Sequence, residues 1–113
     1  MQHTNTLRRH RKQWALTQQQ VAELIGLRAR SVISSYELGH GTPNLRSALA
    51  FEMVFGVPMA ALYPNLLEDI EEAVMRQALT LDEAHRERND GTAVRIRELL
   101  HRLLSQAGNN DGL

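Results

Sequence analysis

Residues Leu16–Pro43 read LTQQQVAELIGLRARSVISSYELGHGTP. Thr17 and Gln20 stand three apart just before an apolar run, the pattern of a capping box opening a helix. Val21, Leu24 and Ile25 follow at the i, i+3, i+4 spacing that buries one helical face. Ala22 is small where another helix must approach closely, and Gly26 ends the helix by accepting a left-handed backbone. The next segment, Arg28–Tyr36, sets Val32, Ile33 and Tyr36 at helical spacing again. Its other face shows Arg30, Ser31, Ser34 and Ser35, all small or extended and able to hydrogen-bond. The stretch is two short helices, a tight turn and a polar loop closing on Gly41-Thr42-Pro43.

Upstream, Thr6–Gln13 forms a helix in which Leu7 and Trp14 face the same way with Arg11 between them. Arg8, Arg9 and Lys12 are left for solvent or phosphate. Downstream, Asn44 is a natural N-cap for a helix over Leu45–Phe55, with Leu45, Leu49 and Met53 along its sides. Gly56 closes it, and Val57-Pro58 starts a short helical turn through Leu62 that Pro64 stops. Five helices in about sixty residues make an all-α domain with short connections, residues 1–64.

From Asn65 the texture changes. Leu66, Leu67, Ile70, Val74, Leu79 and Leu81 mark a long amphipathic helix with an acidic start, Glu68-Asp69-Ile70-Glu71-Glu72, favourable at a helix N-terminus. Asn89-Asp90-Gly91 signals a turn. A last helix, Thr92–Ala107, carries Val94, Ile96, Leu99, Leu100, Leu103 and Leu104, backed by Arg95, Arg97 and Arg102. Residues 65–107 are therefore a helical hairpin whose apolar face must meet the first domain or a second subunit. Residues 108–113 are a polar, flexible tail.

The 113-residue chain is 42% hydrophobic, enough for a core, and only 4% aromatic, so Leu, Val, Ile and Ala should fill it. It has no cysteine, hence no disulfide, thiolate metal site or Cys nucleophile. No apolar run reaches membrane-helix length and the N-terminus lacks a signal-peptide core, so a cytoplasmic location is expected. The net charge of zero hides a split: Met1–Tyr63 holds seven Arg or Lys against three Glu, Pro64–Leu113 six Arg against ten Asp or Glu. The first part can meet phosphates and the second repels them. His85 lies three residues after Asp82 with Glu87 near, but a metal site needs a further ligand from elsewhere. No Ser-His-Asp spacing, phosphate-binding glycine loop or carboxylate pair stands out, so neither enzyme activity nor a cofactor is expected.

Two helices joined by a tight turn are the layout of a helix-turn-helix, whose second helix lies in the major groove of DNA. A Ser-rich face lets that helix sit deep in the groove, with Arg30 near its N-terminal end to read guanine edges. The order Leu7, Arg11, Leu16-Thr17-Gln18, Val21-Ala22, Gly26-Leu27, Ile33-Ser34, Glu37, Gly39, Pro43, Gly56-Val57 and Leu62 resembles the lambda-repressor-like, or XRE, family. The resemblance implies a five-helix bundle and binding of double-stranded DNA. It places Gln18 against the DNA backbone, and Arg30, Ser31 and Ser35, flanked by Ser34, against bases. It places His40, Thr42 and Asn44 in the loop along the phosphates. It makes Arg11 and Glu37 a buried ion pair, and sets Ala29 where the family often has a hydroxyl cap. The chain carries one residue more than the family spacing between Ala22 and Glu37, within Gly26–Arg30. The reading helix thus starts at one of two adjacent positions, with Arg28 replacing or assisting Arg30. One domain reads few base pairs, so a homodimer on a palindromic operator is expected, with residues 65–107 as the dimerising element. The rival expectation is an adapter, antitoxin-like, whose hairpin grips a partner protein.

Overall fold

The computed structural model describes residues 3–88 and 91–111, with side chains up to Gln106 in the last helix. Among the described residues every regular element is helical. The helices are α1 (Leu7–Gln13), α2 (Gln18–Leu24), α3 (Arg30–Glu37), α4 (Leu45–Phe55), α5 (Met59–Leu62), α6 (Pro64–His85) and α7 (Gly91–Asp111). They fall into two units, one ending at Glu68 and the other beginning at Asp69. No described helix is long and apolar enough to cross a membrane.

Side chains start two of the helices. The Thr17 hydroxyl accepts from the Gln20 amide at 3.0 Å while the Gln20 side chain accepts from the Thr17 amide at 2.9 Å, a complete capping box. Asn44 Oδ1 accepts from the Ser47 amide at 2.9 Å and opens α4. Backbone reversals end three others in one manner. Leu16, Leu27 and His40 donate to the carbonyls of Arg11, Ala22 and Ser35, each a 6→1 bond. Within each reversal sits a left-handed residue: Ala15 at φ 54°, Gly26 at 83° and Gly39 at 85°.

Three boundaries differ from the sequence reading. Trp14, expected to share a buried face with Leu7, is the C-cap of α1 and 61% exposed, because the chain reverses at Ala15 before a further turn could carry it inward. Pro64 is the first residue of α6 rather than a stop after α5. Its ring presets φ for a first helical turn, where a missing N–H costs nothing. The last helix runs to Asp111, so residues 108–111 are helical rather than tail, each added residue gaining a backbone bond once the helix exists. Of the expected Asn89-Asp90-Gly91 turn, Asn89 and Asp90 lie outside the described residues, as do Gly112 and Leu113 of the tail.

The core of the first unit gathers Leu7, Val21, Ala22, Ile25, Ile33, Phe51, Phe55, Leu62 and Tyr63. Aliphatic residues are the majority, but aromatic rings hold its centre. Phe51 and Phe55, one turn apart on α4, stack at 6.0 Å, and Tyr36 meets Phe51 edge-on at 6.2 Å. Ahead of α1, a short extended segment ties the unit together. His3 N–H donates to Gly39 O, Asn5 Nδ2 to Tyr36 O, and Thr6 donates twice toward α5, to Leu62 O and Ala61 O.

In the second unit the polar ties between α6 and α7 lie near their connection. Arg97 approaches Asp82 at 3.7 Å and donates to the Arg86 carbonyl at 3.1 Å. Ala93 on α7 is buried.

Candidate nucleic-acid interface

α2 and α3 form the candidate reading unit, joined by the turn Ile25–Ala29. The Gly26 and Leu27 amides close α2 onto Glu23 O and Ala22 O. Arg28 and Ala29 then lead to α3, whose first residue is Arg30. The additional residue is thereby taken up before α3. Ala29 is the N-cap with extended backbone and makes no side-chain cap bond. With no acid in the first turn of α3, the positive end of its dipole is open to solvent.

Around that end stand the cations. Arg28, Arg30 and Ser31 are exposed, while Ser34 and Ser35, further along α3, are half-buried. His40, Thr42 and Asn44 are all exposed on the α3–α4 connection. The His40 amide is used in ending α3, and Asn44 Oδ1 in capping α4, which leaves the Asn44 side-chain NH₂ to donate outward.

Behind this surface, the Glu37 carboxylate joins three helix ends. Arg11 grips it bidentately, Nε to Oε2 at 2.6 Å and Nη2 to Oε1 at 3.1 Å. Arg11 Nη1 also donates to the Leu16 carbonyl at 2.9 Å, fixing the chain between α1 and α2. Gln18 Nε2 donates to Glu37 Oε1 at 3.2 Å. The side chains of Arg11 and Glu37 are 12% and 5% exposed. Glu37 is the last residue of α3, where a carboxylate opposes the helix dipole, and the two donors offset that cost. The Glu37 hydrogen bond raises the Arg11 pKa above its ordinary value, against the lowering effect of burial.

Gln18 therefore differs from the sequence expectation in its surroundings. It is half-buried, and one hydrogen of its amide is spent on Glu37, leaving the other for a phosphate.

Two features escaped the sequence reading. Asn5 accepts from the Leu7 amide at 3.1 Å and donates to Tyr36 O at 2.7 Å, bridging the start of α1 to the end of α3. Its place two residues before a buried leucine was the available signal. Arg46, counted only as charge, sends its guanidinium over the α2–α3 turn, where a Cβ on Gly26 would meet Nη2 at 3.6 Å. Leu38, just past α3, is 61% exposed. On α1 a shallow open groove is lined by Asn5, Thr6, Arg8, Arg9, Lys12 and Gln13.

Residues 7–62 match the helix-turn-helix family, of the lambda-repressor-like XRE type. Over these residues the chain belongs to that family. It is a DNA-binding regulator of the XRE type, with a helix-turn-helix domain followed by further helices. No curated relative and no solved structure matched the chain.

Proposed function

We propose that this XRE-type protein is a sequence-specific transcriptional regulator that occupies a palindromic operator as a homodimer in the cytoplasm. The observation that carries this reading is the uncapped N-terminal end of α3, with Arg28, Arg30 and Ser31 exposed around it. Such an end offers a helix dipole, free amides and two guanidinium groups to an anionic duplex. Arg30, Ser31, Ser34 and Ser35 read base edges, with Arg28 assisting from the turn. Gln18, His40, Thr42 and Asn44 hold phosphates and set the register. Residues 1–64 act as the DNA-binding domain and residues 65–107 as the dimerising element.

Titration of a random duplex against salt tests the core of this reading. The full chain should bind with a steep negative dependence on salt. Arg30→Ala should weaken binding to a site selected from a random pool by about 1–3 kcal/mol and relax the preference at one base pair. The selected site should be a palindrome with half-site centres about one helical turn apart. Salt-independent or undetectable duplex binding would instead favour the adapter, in which the hairpin grips a partner protein.

A further inference from the structure

We infer that α6 pairs antiparallel with α6 of a second copy of this chain, along Ile70, Val74, Gln77, Leu81 and Ala84. This rests on the dimeric reading above and names the surface that makes the dimer. The five positions are separated by four, three, four and three residues, the step of a heptad seam. All five are exposed, with Ile70, Val74 and Leu81 at 49%, 45% and 44%. A neighbouring line on the same helix, Met75, Ala78, Asp82 and His85, keeps the same kind of spacing and is half-buried. That line includes Asp82, which meets Arg97 of α7. The hairpin thus covers one seam of α6 and leaves the other open, whereas a helix packed in a bundle needs a stripe wide enough for two neighbours.

The open seam is chemically suited to a like helix. At 100° per residue its positions and Ala73 share a face without a charged side chain, while Asp69, Glu72, Arg76 and Glu83 project elsewhere. Gln77 is the one polar member, and a lone polar residue in an apolar seam fixes register and partner. Charge decides the direction. Asp69, Glu71 and Glu72 crowd the N-terminal part of the seam, whereas Arg86 and Arg88 follow its other end among Glu83 and Glu87. Parallel pairing would set three acids beside the same three acids. Antiparallel pairing sets them beside the arginines of the other copy. Ile70 then faces Leu81 of the second copy, Val74 faces Gln77, and the contact is its own mirror under a two-fold axis.

Light scattering and disulfide trapping on the full chain test this, helped by the absence of native cysteine. The wild-type chain should be a dimer at high micromolar concentration. Leu81→Asp should raise the dimer dissociation constant about a hundredfold or more, because each interface would bury two unpaired charges. Thr80→Asp, off the seam, should leave the dimer unchanged. Under mild oxidation, Ile70→Cys mixed with Leu81→Cys should give a covalent heterodimer, and neither should link to itself. A monomeric wild type, a fully dimeric Leu81→Asp or self-linking of Ile70→Cys alone would overturn the proposal. Random-duplex binding on the same samples separates the two readings: a monomer that binds sinks only the seam, and a seam-linked dimer that never binds sinks only the regulator.

Discussion

Ala15 closes α1 at φ 54°, a backbone conformation its Cβ opposes by about 1–2 kcal/mol. The 6→1 bond from Leu16 to Arg11 and the Arg11 contact with the Leu16 carbonyl hold it there. Ala15→Gly removes the strain but adds freedom to the unfolded chain, so a net gain of about 0.5–1 kcal/mol is expected in urea denaturation. Tyr63 is the opposite kind of residue: 3% exposed, its hydroxyl buried without a hydrogen-bond partner among the described residues. Burial, with a smaller contribution from Tyr36, pushes its pKa up to about 12. The fold therefore favours the neutral phenol. Stability from this group is complete below the unfolded value near pH 10 and is lost as pH rises toward 12, by about 2 kcal/mol at most. Tyr63→Phe should be neutral or stabilising by about 1 kcal/mol and should flatten that alkaline loss in thermal melts at stepped pH.

Helix ends explain which elements could be located beforehand. Where a side chain does the capping, as at Thr17 with Gln20 and at Asn44, the boundary was legible to the residue. Thr17→Ala should cost about 1 kcal/mol in chemical denaturation by stripping the Gln20 amide of its acceptor. Where backbone alone does the work, the sequence is mute. Ala15 gives no sign of a left-handed turn, so Trp14 was placed inside when it lies out. Ala29 caps nothing, so the start of α3 stood open between two positions until the turn was seen to absorb the additional residue before Arg30. Among the candidate site residues, exposure follows residue type: Arg28, Arg30 and Ser31 point to solvent. The competing use of Gln18 by Glu37 depends on where α3 ends against α2, which no local pattern encodes.

At the scale of the whole molecule, the charge split coincides with a division of surfaces. The basic first unit carries the open α3 end, and the acidic second unit an uncharged seam on α6. The shared carboxylate of Glu37 has a further consequence for how the first unit comes apart. Because one side chain holds the end of α1, the start of α2 and the end of α3, none of these can open while the others stay closed. Native-state hydrogen exchange should therefore find the protected amides of α1, α2 and α3 exchanging with one common opening free energy, as a single foldon. Glu37→Gln keeps the shape but leaves Arg11 without its counter-charge, at a cost of about 3–5 kcal/mol. In that variant the three helices should exchange at separate rates, with α1 released first.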